Sequence, residues 1–122
     1  MILVDSSGWI EYLADRPRAD AFARYLEGRE PLLASAIQIY EIYKVIRRDL
    51  SEERAMEAVS ALQAVTLVPV DGSIALEAAD LSLEHGLAMA DSLILTTARR
   101  HRARIVTSDA DFDGLPDATV IR

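Results

Sequence analysis

The sequence contains 122 residues, 51% of them hydrophobic, and carries a formal net charge of −7 at neutral pH. This length suits one compact domain spanning residues 1–122, with a core large enough to fold without disulfides or structural metals. The lack of cysteine excludes disulfides, thiolate metal ligands and cysteine nucleophiles, and the acidic balance argues against a broadly basic surface for nucleic acids.

The first element is an apolar run, Met1–Val4, which predicts a buried strand that ends at Asp5. The run is too short to cross a bilayer and has no basic leader before it, so we expect a soluble, cytoplasmic protein. Ser6-Ser7-Gly8 then offers caps for a helix that carries Trp9.

Helical segments and short apolar runs alternate along the rest of the chain. Ser35 is suited to cap a helix in which Ile42 and Ile46 lie on the buried face. Met56 and Leu62 are expected to point inward from the next helix. In all, the helices expected after the first lie at residues 18–26, 36–48, 51–64, 73–85 and 90–101. The strands expected after the first lie at residues 31–34, 66–70, 105–107 and 119–121. This alternation predicts an α/β fold with a mostly parallel central sheet covered by helices on both faces.

Carboxylates follow two of the predicted strands directly. The run Ile2–Val4 leads into Asp5, and the run Ile105–Ser108 leads into Asp109. Ligands bind at the carboxyl ends of strands in open parallel sheets, so both side chains should emerge at the same edge. Asp71 also follows a strand, but it precedes a predicted helix, and N-capping is the simpler explanation for it.

Two more acids interrupt helices that are otherwise apolar or small. Glu41 lies within YEIYKV, at the edge of the buried helix face, and Asp91 lies in the first turn of the helix in LAMADSLIL. A solvated surface position is open for each, and a carboxylate also suits the helix amino terminus at Asp91. Four carboxylates in one pocket would repel one another by roughly 4 kcal/mol per pair at 4 Å, so a cation would have to compensate.

The side chains available indicate which cation such a pocket would take. Carboxylate oxygens without cysteine suit a hard ion, Mg2+ or Mn2+, and disfavour zinc. The two histidines, His85 and His101, stand at predicted helix ends, where they would contact terminal carbonyl groups. A calcium loop of the EF-hand type is a poor alternative for SDADFDG, because the twelfth position of that loop is Val120 instead of glutamate.

Four stretches of the chain carry a family resemblance: ILVDSSGWI, then YEIYKV, then LAMADSLILTTA, then IVTSDADF. Together they resemble the PIN-domain family, and within it the small VapC-type toxin ribonucleases. Each stretch is a weak signal alone, but in this order they cover essentially the whole chain. The resemblance implies a PIN-like three-layer α/β/α fold and a metal-dependent ribonuclease that acts as the toxin of a toxin–antitoxin pair.

The same resemblance assigns the site residues. It implies that four acids form the catalytic cluster and hold one or two Mg2+ or Mn2+ ions: Asp5, Glu41, Asp91 and Asp109. It also implies accessory roles for Thr107, Ser6, Ser7 and Asp111. Many relatives have asparagine at the position of Ser7, whose shorter side chain weakens the match there. Asp113 is then expected to be solvated or capping, and Phe112 to fill the core.

An acidic cleft must still attract RNA, and clustered arginines are the candidates for holding phosphates. These are Arg47, Arg48, Arg99 and Arg100, each of which also suits a solvated helix face. The bound ions would cancel the acidity of the cleft. They would also promote hydrolysis of the phosphodiester by water, without a covalent protein intermediate.

The resemblance further implies two protein partners, a cognate antitoxin that blocks the cleft and a second copy of the toxin. Tyr40, Tyr43 and Trp9 extend beyond a single buried stripe, which allows either a partner groove or a core position, and the core is favoured for Trp9. Two other classes stay open, a non-catalytic PIN-like RNA- or protein-binding module and a receiver-like phosphotransfer domain. A receiver should carry a lysine on a late strand, whereas the only lysine, Lys44, lies on a predicted helix.

Overall fold

The computed structural model describes residues 1–122 and contains a five-stranded sheet and six helices. The strands are β1 (Ile2–Val4), β2 (Leu32–Ser35), β3 (Thr66–Val68), β4 (Arg104–Thr107) and β5 (Ala118–Val120). The helices are α1 (Ser6–Leu13), α2 (Ala19–Leu26), α3 (Ala36–Asp49), α4 (Glu52–Gln63), α5 (Gly72–His85) and α6 (Met89–Arg100). All strand pairs are parallel, in the order β3-β2-β1-β4-β5. The predicted α/β class with a mostly parallel sheet is therefore confirmed.

A hydrophobic core lies on each face of the sheet. Ile2 and Val4 of β1 point into the first core and Leu3 into the second, as strand alternation requires. Helices α1 to α4 fill the first core with Trp9, Phe22, Ile42, Ile46, Ala55, Ala58 and Leu62. Helix α6 fills the second with Ile94, Leu95 and Ala98, and α5 packs on α6 through Ile74 and Ala78. The result is a three-layer α/β/α arrangement.

The turn from β1 into α1 differs from the sequence expectation. Ser6, Ser7 and Gly8 form the first turn of α1, and Asp5 occupies the N-cap position without a capping side-chain hydrogen bond. Gly8 lets α1 approach both β1 and α2, since a Cβ at Gly8 would lie 2.6 Å from Val4 and 2.5 Å from Phe22. The side chains of Asp5, Ser6 and Ser7 are thereby left free for tertiary contacts.

The start of α3 is attached to the end of β1. Ser35 caps α3, and its backbone amide donates to Oε1 of Gln38 at 3.0 Å. Nε2 of the fully buried Gln38 donates to the carbonyl of Val4 at 2.8 Å. Glu41 follows Gln38 by three residues and therefore lies one turn further along the same helix face. The bond from Gln38 to Val4 therefore fixes the position of Glu41 relative to β1.

Other expected features hold, with boundaries shifted by one or two residues. Asp71 caps α5 by accepting from the amide of Ile74 at 2.9 Å, and Gly86 ends the helix with φ +69°. The third strand stops at Val68 because the next residue is proline, which has no amide hydrogen to donate.

Two large side chains expected in the core lie there, and one does not. Trp9 and Phe112 are buried, as expected. Met56 is 51% exposed, contrary to expectation, because α4 packs on α3 through its small Ala55 and Ala58 side chains. None of the six helices combines the length and hydropathy of a membrane-spanning segment.

Candidate active site

The carboxyl ends of β1 and β4 lie side by side at one edge of the sheet. Val4 is paired with Val106, and the amide of Asp5 donates to the carbonyl of Val106 at 2.9 Å. This pairing brings Asp5 next to the segment that leads from Thr107 to Asp109. The two acids that follow these strands therefore emerge at the same edge, as the parallel arrangement predicted.

Two hydroxyl groups hold the carboxylate of Asp5, which is only 4% exposed. Oγ1 of Thr107 donates to Oδ2 of Asp5 at 2.8 Å, and Oγ of Ser7 donates to the same oxygen at 3.0 Å. The hydroxyl of Thr107 also accepts from the amide of Asp109 at 2.9 Å, and that of Ser7 accepts from the amide of Ser108 at 3.2 Å. These bonds fix Asp5 relative to the backbone that carries Asp109.

Glu41 reaches the same edge from α3. Oγ of the buried Ser6 donates to its Oε1 at 2.6 Å, which is a short, charge-assisted contact across 35 positions of sequence. Glu41 is half-buried, and burial raises its pKa, with the nearby charges of Asp5 and Asp109 adding to the effect and the bond from Ser6 opposing it. The bond from Ser6 thus sets the direction in which Glu41 points.

Three further carboxylates approach one another beside Asp5. One oxygen each of Asp91, Asp109 and Asp111 lies within 4.8 Å of the other two. Opposite ligands of an octahedral Mg2+ stand roughly 4.2 Å apart, since each bond is about 2.1 Å long. The oxygen-only donors therefore suit one hard divalent cation, which would draw these oxygens slightly closer together. The amide of Asp111 donates to Oδ1 of Asp109 at 2.9 Å, which fixes the relative position of their backbones.

The crowding of these acids shifts their protonation. Burial raises the pKa of Asp5, with the charge of Asp109 adding to the effect and hydrogen bonds from Thr107 and Ser7 opposing it. Burial also raises the pKa of Glu41. Burial and then the charges of neighbouring acids, Asp5 first, raise the pKa of Asp91 to about 7. The site therefore resists full ionisation unless a cation is present.

The structure does not bring the four candidate arginines together at this site. Arg99 pairs with Asp117 at 2.9 Å and Arg100 with Glu77 at 2.6 Å. Arg99 follows Asp91 by eight residues on α6, which places it about 12 Å away along the helix axis. Arg47 and Arg48 lie in the last turn of α3, beside a groove between α3 and α4.

The remaining polar residues named from the sequence have other contacts. Asp113 pairs with Arg122 at 2.8 Å on the surface. Nδ1 of His101 lies 3.0 Å from the carbonyl of Thr97, as expected for a helix end. His85 contacts Glu84 at 3.8 Å rather than a terminal carbonyl.

Sequence reasoning missed one residue that positions the site, Gln38, and ranked Asp111 below the acids that it joins. The spacing of Ser35 and Gln38 was the available signal, because serine followed three residues later by glutamine is the pattern of a capping box. For Asp111 the signal was the alternation of aspartates after β4. The short helical turn at Ala110–Phe112 then turns Asp111 toward Asp91 and Asp109.

Comparisons with known proteins agree with this fold. The PIN domain profile matches residues 2–118, and the chain therefore belongs to the PIN domain family. No curated protein matches the sequence significantly.

Solved structures similar to this chain span nearly its full length. A chain of a toxin–antitoxin complex from Klebsiella pneumoniae is 26% identical with a TM-score of 0.80, and the match covers 98% of this chain and 97% of that one. VapC20 from Mycobacterium tuberculosis, a toxin that cleaves the sarcin-ricin loop, is 17% identical with a TM-score of 0.82 and 95% coverage of both chains. VapBC2 from Rickettsia felis, bound to promoter DNA, is 16% identical with a TM-score of 0.75, covering 99% of this chain and 98% of that one. The last two share the fold with this chain.

Proposed function

We propose that this protein is a Mg2+- or Mn2+-dependent endoribonuclease that acts as the toxin of a toxin–antitoxin pair. One observation carries the proposal. Five carboxylates from four separate segments meet at the carboxyl edge of the sheet, and three of their oxygens are close enough to share one ion. Such a gathering of like charge is costly without a cation. The five acids are Asp5, Glu41, Asp91, Asp109 and Asp111.

The residues of the chain divide into ligands and supports. The ligands suited to bind one ion directly are Asp91, Asp109 and Asp111. Asp5 and Glu41 add negative charge beside them. Hydrogen bonds from Thr107 and Ser7 hold Asp5 in place, and one from Ser6 holds Glu41. Bound Mg2+ or Mn2+ supplies Lewis acidity toward a phosphodiester and lowers the pKa of a coordinated water.

The hydroxyl groups near the cluster are poorly placed to act as nucleophiles. Ser6 and Ser7 donate their protons to carboxylates that hold them in place. Neither serine hydroxyl has a histidine among its hydrogen-bond partners. The arrangement supports attack by water rather than through a covalent protein intermediate.

The toxin role is supported by the neighbours in fold. The Klebsiella chain comes from a toxin–antitoxin complex, and the M. tuberculosis protein is a toxin that cleaves RNA of the sarcin-ricin loop. From the same relationship we expect an antitoxin that covers the acid cluster. We also expect a homodimer, and the face of α5 and the start of α6 offers exposed Leu76, Leu83 and Met89 for it.

Substitution of the acids tests the nuclease. Asp91→Asn and Asp5→Asn should each lower Mg2+-dependent cleavage of RNA by at least roughly 100-fold, the scale seen when one charge-stabilising group is lost. Asp113→Asn is the matched control, because Asp113 lies on the surface with Arg122 and should leave cleavage unchanged. Circular dichroism establishes that each variant is folded. Undiminished cleavage by both Asp91→Asn and Asp5→Asn would refute the proposal.

The toxin role has a separate test. Co-expression with the antitoxin expected from a neighbouring gene should give a stable complex in which RNA cleavage is suppressed. Failure of the two proteins to co-purify at moderate salt would remove the toxin assignment and leave the nuclease assignment intact.

A further inference from the structure

A groove of about 890 Å³ runs between α3 and α4, and the chemistry proposed above does not use it. Its wall on α3 is formed by Ile39, Tyr40, Tyr43, Lys44, Arg47 and Arg48. Two aromatic side chains and then three cationic ones therefore line one side of a single helix.

The charge of this groove is opposite to that of the chain. The protein carries a net charge of −7, yet the groove is lined by three cations and one acid, Glu52. Arg48 is partly neutralised by Asp49 at 2.7 Å. Lys44 contacts the hydroxyl of Tyr40 and no carboxylate, and Arg47 forms no ion pair. Local positive charge is therefore available to an anionic ligand.

The aromatic ring of Tyr40 is presented to solvent. Tyr40 is 62% exposed, and Nζ of Lys44 lies 5.4 Å from the ring centroid and 3.4 Å from the hydroxyl. Most of the ring surface is open to solvent. Proteins that bind single-stranded nucleic acids combine exposed aromatic rings, on which bases stack, with unpaired cations that neutralise phosphates.

The groove also begins where the acid cluster ends. Lys44 follows Glu41 by three residues and Arg47 follows Lys44 by three, so each lies about one turn further along α3. Their distances from Glu41 along the axis are about 4.5 and 9 Å. An RNA strand leaving the acids along α3 would therefore meet these cations next.

We propose that the groove between α3 and α4 holds the single-stranded part of the RNA substrate adjacent to the cleaved phosphodiester. Tyr40 stacks on an unpaired base, and Lys44 and Arg47 contact phosphates. Because stacking accepts any base, the groove selects for unpaired RNA rather than for a particular sequence. The inference rests on the proposed function, since it assigns the substrate contacts of that same site.

Binding of a labelled single-stranded oligoribonucleotide in Mg2+ separates these contacts from cleavage, with every variant built on Asp91→Asn. Tyr40→Ala should weaken binding by roughly 5- to 100-fold, while Tyr40→Phe, which keeps the ring, should stay within about twofold. Lys44→Gln and Arg47→Gln should each reduce the slope of log affinity against log salt by about 0.7. Arg24→Ala, an exposed arginine on α2 without an ion pair, is the control and should change neither quantity.

A series of RNA substrates with one base removed at a time locates the stacked position. In the otherwise unaltered chain, base removal should weaken cleavage at one position within a few nucleotides of the cut. That penalty should disappear in Tyr40→Ala, because the ring that the base contacts is already missing.

The results distinguish this inference from the nuclease assignment. If the protein cleaves RNA and Tyr40→Ala binds the oligonucleotide as tightly as its parent, the groove assignment is overturned and the nuclease stands. The same conclusion follows if the groove variants lose only a protein partner and keep RNA affinity, because the groove is then a protein-docking surface. An unaltered chain that neither binds nor cleaves single-stranded RNA overturns both.

Discussion

Thr107 and Asp5 are joined by a hydrogen bond of 2.8 Å, although 102 positions separate them in the sequence. The same Thr107 hydroxyl accepts from the amide of Asp109 at 2.9 Å. One side chain at the end of β4 therefore links the acid that follows β1 to the acid that follows β4. Because both partners depend on it, its removal should affect stability and metal binding together.

Thr107→Val removes this hydroxyl and keeps the shape of the side chain. The variant should lose about 1–3 kcal/mol of unfolding free energy, because a buried acceptor and an amide donor lose their partner. It should also bind Mn2+ more weakly, since Asp5 and Asp109 are no longer held together. Thr107→Ser keeps the hydroxyl and is the control. Urea denaturation and Mn2+ titration measure the two effects, and equal Mn2+ affinity in both variants would contradict the prediction.

The stability of the metal-free protein should depend on Asp91. Its pKa is raised from 3.8 to about 7 in the fold, so the folded chain holds a proton that the unfolded chain has released between these values. Raising the pH from about 4 to about 7 should therefore lower the free energy of unfolding. Burial raises the pKa of Asp5 and Glu41 in the same sense.

Metal ions should remove this pH dependence, because they bind the ionised carboxylates of the native state. Thermal unfolding between pH 5 and 8, in EDTA and in saturating Mn2+, measures the effect, and Asp91→Asn should flatten the curve in EDTA. The idea fails if the EDTA curves of the parent and of Asp91→Asn run parallel across this range.

Arg99 and Arg100 should prove dispensable for RNA binding. Arg99 pairs with Asp117 and Arg100 with Glu77, both far along α6 from the acid cluster. Arg99→Ala and Arg100→Ala should each cost about 0–1 kcal/mol of stability, as partly exposed ion pairs do. Affinity for RNA should remain close to that of the parent, in contrast to Arg47→Gln. A marked loss of RNA affinity in Arg99→Ala would instead show that Arg99 contributes to RNA binding.

Gly8 should tolerate no side chain. A Cβ there would lie 2.5 Å from Phe22 and 2.6 Å from Val4, both in the core. Gly8→Ala should therefore cost about 1–3 kcal/mol through overpacking, despite the better helix propensity of alanine. Gly72→Ala is the control, since no atom lies within 4 Å of a Cβ at the start of α5. Urea denaturation compares the two, and equal stabilities would show that α1 can move away from the sheet.

The expected homodimer should depend on the exposed apolar face of α5. Leu83 is 87% exposed, so a glutamate there has no effect on the monomer core. Leu83→Glu should shift the protein to monomer because it places a charge within the contact. Leu50→Glu, at the end of α3, is the control. Light scattering on eluting protein gives the mass, and a dimer that persists in Leu83→Glu would place the contact elsewhere.

Part of the site could be predicted because it follows from local patterns. Asp5 and Asp109 each follow an apolar strand, and the geometry of parallel sheets brings such residues to one edge. Asp91 was recognisable as an acid in the first turn of an otherwise apolar helix. The proximity of β1 to β4 was not, because the order of strands in a sheet depends on packing between distant segments.

The remaining features depend on tertiary contacts that no local pattern contains. The run of basic residues around Arg99 and Arg100 looked available for RNA, but carboxylates from α5 and from the approach to β5 neutralise it. Ser6 and Ser7 looked like helix caps, yet they donate to Glu41 and Asp5 because the helix starts one residue earlier.

The pairing of β1 with β4 also sets a time at which the cluster can first exist. During translation Asp5 leaves the ribosome early, but its neighbours Thr107, Asp109 and Asp111 emerge only after about a hundred further residues. A nascent chain therefore has no complete set of ligands until the segment that follows β4 has been translated. Whatever chemistry these acids perform begins only after that segment has left the ribosome and paired with β1.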